Sequence, residues 1–190
     1  KIENRKLWCA ASTHKTEENI CAQAHKKLKK KYSNLLTIII PRHIQRTNEI
    51  YEEINQMNLK VQTHSSKNTI KKDTDIYLVD TYGETKSFFK VCGTVFLGGS
   101  IINHGGQNPL EPARFGCNIF HGPYIQNFLE VYKLLNKENL SSKFYNLNQL
   151  VKLINSSLNK KKNNSKKIIK LKKAGSYILS RTLKEINYFL

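Results

Sequence analysis

Acidic residues are scarce in this chain. Only 14 Asp and Glu stand against 32 Lys and Arg, giving a formal net charge of +18 over 190 residues. The imbalance reads either as a basic solvated exterior that follows a Lys-, Asn- and Ile-biased composition or as the mark of an anionic partner: a phosphate ligand, nucleic acid or an acidic membrane surface. Cysteine is also sparse. Cys9, Cys21, Cys92 and Cys117 never approach a C-x-x-C spacing, which excludes a zinc ribbon and a small disulfide framework. Cys9, Cys92 and Cys117 lie in or beside apolar runs and read as small buried hydrophobes in a reducing compartment. No apolar run reaches the length of a membrane span, no signal peptide is recognisable, and no solenoid period recurs. Aromatic residues are not interleaved with the Lys-rich run at 160–173, which argues against nucleic acid there.

What the chain does contain is an alternation of buried-strand runs and amphipathic segments. Leu7–Ala11, Leu35–Ile40, Ile76–Val79, Thr94–Leu97 and Cys117–Phe120 read as strands, with a short strand at Val61–His64 and an edge strand at Phe144–Tyr145. Helices are expected after Thr16, over 45–58, through Phe88 and Val91, from Asn108 to Gly116, over 125–136 and over 148–158. This is the pattern of an α/β, Rossmann-like domain with a mostly parallel sheet covered by helices on both faces. Residues 1–158 read as that domain and 159–190 as a basic linker with a C-terminal helix. A chain opening on Lys1 and entering a strand at once reads as a piece of a longer protein.

In such a sheet, ligands bind beyond the carboxyl ends of the strands. Four polar or glycine-rich segments stand there: Ser12-Thr13-His14, Pro41-Arg42-His43, Asp80-Thr81-Tyr82-Gly83-Glu84, and Gly98-Gly99-Ser100 running through Gly105-Gly106-Gln107 to Asn108-Pro109-Leu110-Glu111. Arg42, placed by a rigid strand, suits a two-pronged grip on phosphate. The glycine pairs permit close backbone approach, and the helix start at Asn108-Pro109 offers free N–H groups to an anion. The plain alternative is a helix start with Asn108 as N-cap, Pro109 at the first position and Glu111 in a capping box. Glu84 and Glu111 are candidates to accept from ribose hydroxyls, or are helix-start residues. Ser12, Thr13, His14, His43, Gly105 and Gly106 are secondary candidates, and no metal ligand set is visible.

Taken together, these segments, with Glu17-Glu18 after Ser12-Thr13-His14, resemble in order and spacing the C-terminal domain of the 3-deoxy-D-manno-octulosonic acid (Kdo) transferases over about residues 7–158. Three positions depart from the usual pattern: Tyr82 where Met is usual, Gln107 where His precedes Asn-Pro, and Lys15-Thr16 in place of Glu-Gly. The resemblance implies the donor half of a GT-B glycosyltransferase. CMP-Kdo would contact Pro41, Arg42, Tyr82, Gly83, Glu84, Asn108, Pro109, Leu110 and Glu111, with Arg42 stabilising the leaving phosphate and no cofactor or metal. It further implies a catalytic base in an N-terminal domain outside this chain and transfer to a lipid A precursor in lipopolysaccharide synthesis. The implied location is the cytoplasmic face of the inner membrane; the Lys-rich run, on its charge alone, reads as a solvated stretch or as one suited to an anionic lipid surface. Two other classes stay open on the residues alone: a non-catalytic nucleotide-binding or membrane-docking module, and a GT-B enzyme using a UDP-sugar.

Overall fold

A computed structural model describes residues 5–159. The expected basic linker and last helix therefore lie, beyond Asn159, outside the described residues. The strands are β1 (Lys6–Thr13), β2 (Leu35–Pro41), β3 (Val61–Thr63), β4 (Ile76–Leu78), β5 (Thr94–Leu97), β6 (Asn118–His121) and β7 (Ser141–Lys143). The helices are α1 (Glu17–Lys29), α2 (Thr47–Gln56), α3 (Thr85–Val91), α4 (Leu110–Arg114), α5 (Leu129–Lys137) and α6 (Leu147–Leu158). Short 3-10 turns at Ile44–Arg46 and Gln126–Phe128 lead into α2 and α5.

The strands form one sheet in the order β3-β4-β2-β1-β5-β6-β7, every pairing parallel. Each crossover carries the chain back across a face, so the central strands are covered on both sides. β2 and β5 are accordingly buried along their whole length. Two apolar clusters result. One packs Trp8, Leu35, Ile39, Ile76 and Phe96 under α1, α2 and α6; the other packs Leu36, Ile38, Val95 and Ile119 under α3, α4 and α5. All four cysteines are buried and free, as expected of small core residues.

The outer elements differ from the expected boundaries. β7 is Ser141–Lys143 rather than Phe144–Tyr145. Strand propensity favours the aromatic pair, but Phe144 sits just past the pairing, where its ring packs 5.6 Å from Phe96. In α5 the buried residues are Tyr132 and Leu135, while Phe128, Val131 and Leu134 are only half-buried. Tyr132 is drawn in because its hydroxyl donates to the Gln107 carbonyl at 3.2 Å, a partner that periodicity cannot reveal.

At the amino edge of the sheet, His25 bridges Thr37 Oγ1 (2.8 Å) and Asp75 (3.4 Å), and Lys29 pairs with the same carboxylate. Burial alone would raise Asp75, but the Lys29 ammonium and the Lys60 N–H outweigh it and hold the carboxyl below its ordinary range. The Thr-His-Asp order is that of a nucleophilic relay, yet His25 and Thr37 are fully buried, so the cluster ties α1 to β2 and β4 and does no chemistry.

Candidate functional site

Parallel pairing puts the segments after β1, β2, β4 and β5 on one edge, and the chain order reverses between β1 and β5. At that switch point the backbone is locally forced. β1 slips register between Ala11 and Thr13, and Ser12 takes φ +56°, a left-handed conformation that costs a non-glycine residue on the order of 1 kcal/mol. The slip is held from the next strand, where the Arg42 N–H donates to the Thr13 carbonyl at 2.9 Å.

Glu17 organises the junction. It is fully buried at the start of α1, and its carboxylate accepts from four backbone N–H groups: His14 (3.0 Å), Gly99 (2.7 Å), Ser100 (3.1 Å) and Ile101 (2.9 Å). The sequence reading left these glycine-segment amides open to a ligand anion; the structure corrects this, because a protein carboxylate already occupies the cradle. Thr16, at the N-cap of α1, takes φ +79° and makes no side-chain capping bond. Gly98 is required by the same close approach. A Cβ there would lie 2.6 Å from Thr13 Cα and 2.7 Å from Glu17 Oε2. The two glycines among the secondary candidates are also engaged: the Gly106 N–H donates to the Gly99 carbonyl (2.8 Å), and the Gly105 carbonyl accepts from the Asn127 N–H (3.1 Å).

Beside this junction lies a hollow of about 380 Å³ whose lining includes Ser12, Thr85, Asn108, Leu110, Glu111 and Arg114. Asn108 does cap, its Oδ1 accepting from the Leu110 N–H at 3.0 Å, but α4 starts at Leu110, with Pro109 at the N-cap. The capping box is not formed. Glu111 instead makes a loose, exposed ion pair with Lys86 of α3 (3.7 Å), so its carboxylate is available to a ligand. Thr85 and Arg114 are lining residues that sequence reasoning missed. Glu111 and Arg114 stand three apart on one helical face, which was the available signal.

Arg42, Tyr82, Gly83 and Glu84 stand on the same edge, outside the lining of the hollow. Arg42 is exposed, and its guanidinium has no hydrogen bond or ion pair among the described residues. Tyr82 is 65 % exposed, an aromatic face turned to solvent at a strand end. Gly83 takes φ +88° with nothing within 4 Å of where a Cβ would be, so open space faces its backbone. Asp80 is held by the Ser65 N–H (2.7 Å) and hydroxyl. Burial and the neighbouring His104 ring push His14 down to about 4, so that imidazole is neutral at neutral pH. Among the described residues no group of three or more His, Cys, Asp or Glu is placed to hold a metal, and no helix is long and apolar enough to cross a membrane.

An all-parallel sheet with its hollow at the switch point and a free arginine at the next strand end defines a Rossmann-like ligand-binding domain. No family model matches the chain. It is 34 % identical over 133 residues to 3-deoxy-D-manno-octulosonic acid transferase of Haemophilus influenzae, covering 70 % of this chain and 31 % of that protein. It is 31 % identical over 153 residues to the enzyme of the same name from Aquifex aeolicus, covering 80 % and 42 %. The C-terminal CMP-Kdo binding domain of WaaA from Acinetobacter baumannii superposes with a TM-score of 0.79 at 27 % identity, over 94 % of this chain and 91 % of that one. By sequence and fold the chain belongs to the 3-deoxy-D-manno-octulosonic acid transferase family, as its C-terminal domain. It spans well under half the length of these curated relatives.

Proposed function

We propose that this chain binds CMP-Kdo as the donor half of a Kdo transferase of GT-B architecture. The observation that carries the reading is the hollow at the switch point, bounded by Ser12 on one side and by Asn108, Leu110 and Glu111 on the other. In this reading the ribose lies there, its neighbouring hydroxyls donating to Glu111. Pro41 aims Arg42 at the phosphate, and the cytosine lies along Tyr82-Gly83-Glu84. Departure of CMP builds charge on that phosphate, and the guanidinium, held by a strand end and free of a protein carboxylate, stabilises it without reorganising. No cofactor or metal is assigned a step. The base that activates the acceptor hydroxyl belongs, in this proposal, to a partner N-terminal domain. The acceptor is a lipid A precursor, and the place is the cytoplasmic face of the inner membrane.

Calorimetric titration with CMP, UMP and UDP tests the donor reading. CMP is expected to bind preferentially. Arg42→Ala should weaken it by about 30-fold, the loss of a charge-assisted two-pronged contact, and Glu111→Ala by about tenfold. Preference for UDP, or indifference to both substitutions, would refute the assignment. The 190-residue chain alone is expected to transfer no sugar, which a radiolabelled Kdo assay checks.

A further inference from the structure

Three imidazoles from three separate chain segments meet beside Arg42. His14 follows β1, His43 follows β2, and His104 lies in the loop after β5. The His14 ring stands edge-on to His43 with centroids 5.8 Å apart, and lies 4.3 Å from the tilted ring of His104. His43 and His104 are exposed; His14 is the buried floor between them.

Among the described residues no carboxylate forms an ion pair with His43 or His104. Glu17 Oε2 is 3.9 Å from His14 Nδ1 but is already engaged with backbone amides. Glu18 pairs with Arg46, and Glu49 with Arg46 and Lys15. His14 Nδ1 faces the Ser12 carbonyl at 3.1 Å, which can only accept, so Nδ1 carries the ring proton. Nε2 is then left without a partner, although the side chain is only 9 % exposed. Thr81 Oγ1, on the same edge, is likewise buried and without a hydrogen-bond partner among the described residues. Among the described residues, Arg42, the exposed rings of His43 and His104 and the buried Thr81 hydroxyl offer hydrogen-bond donors to an anion, while the Nε2 lone pair of His14 accepts and takes no part in that contact.

We infer that His43 and His104, seated on His14, hold the carboxylate of the sugar acid carried by the nucleotide, next to its phosphate at Arg42. This rests on the donor reading above. The chemistry fits the layout. In a nucleotide-linked ulosonic acid, the carboxylate and the phosphate oxygen are attached to the same anomeric carbon. Two negative groups joined through one carbon need adjacent cationic partners, and Arg42 and His43 are consecutive residues leaving a rigid strand. Ser12 lines the nucleotide hollow, and His14 lies two residues further on, outside its lining, where the sugar would emerge. The three rings would thus distinguish a sugar acid from a neutral sugar on the same nucleotide.

The test titrates the whole chain with CMP and with CMP-Kdo, for the wild type and the His43→Ala/His104→Ala double variant. The variant is expected to lose about tenfold in CMP-Kdo affinity, and less than about twofold for CMP, the size of one charge-assisted contact. Retained CMP binding shows that the variant is folded. Wild-type CMP-Kdo affinity in the variant, or equal losses for both ligands, would overturn the carboxylate assignment alone. A wild-type chain that binds neither ligand would overturn the donor reading and this assignment with it.

Discussion

Glu17→Ala is expected to lower the melting temperature by roughly 10 °C. The substitution leaves four buried backbone N–H groups, those of His14, Gly99, Ser100 and Ile101, without an acceptor. Stranding buried donors costs on the order of 4 kcal/mol in all, and each kcal/mol moves the midpoint by about 2–4 °C in a domain of this size. The effect reaches the ligand edge because this one side chain ties the loop after β1 to the loop after β5. The test has a chemical signature that a general packing defect would lack. The converging amides remain a carboxylate-sized cradle, so formate or acetate at about 0.1 M should restore part of the lost stability, and chloride at equal ionic strength should not. A thermal melt unchanged by the substitution would show that the four contacts contribute little. A melt lowered but indifferent to formate would show that the loops do not keep their arrangement without Glu17.

Acidification is expected to destabilise the chain well above the pH at which carboxylates protonate. Burial pushes His25 and His121 each down to about 4 in the folded state, against an ordinary value near 6.5. Between those values the unfolded chain binds protons that the folded chain refuses. Stability is therefore complete above about pH 6.5 and falls as pH drops towards 4. A shift of that size is worth on the order of 3 kcal/mol per buried ring, so the two together remove several kcal/mol. Asp75 works in the other direction of titration. Its lowered value keeps its ion pair with Lys29 intact until the pH falls below the ordinary carboxylate range. Urea unfolding at pH 7.5, 6.0 and 5.0 checks the sign and the window. Equal midpoints at pH 7.5 and 5.0 would contradict the burial of these rings as charged-state penalties.

The strand runs, their parallel order and the four segments on the carboxyl edge were legible in the sequence. Each is a local pattern: an apolar β-branched run stopped by Pro41, by Gly98 or by a polar cluster. The helix start at Asn108 was legible to within a residue, and its side-chain cap is real. The capping box, the plain alternative for Glu111, does not form because Glu111 finds Lys86 on a neighbouring helix rather than its own backbone. His25 and Tyr132 escaped notice because what buries them is a partner far along the chain. His104 was passed over as a loop residue, since its neighbours His14 and His43 come from other strand ends.

The sequence by itself determined the alternating architecture, the edge on which a ligand would lie, and the family resemblance, because these depend on residue type at short range and on the order of motifs. Only the tertiary structure decided which groups on that edge are occupied. Glu17 and Gly99 are 82 residues apart, and their contact converts an apparent anion cradle into an internal strut. A hydrogen bond is satisfied by whatever the fold brings within about 3 Å, and nothing in local spacing reports that distance. Among the described residues, the guanidinium of Arg42 and Nε2 of His14 are left without a partner, and Glu111 is held only by its loose pairing with Lys86.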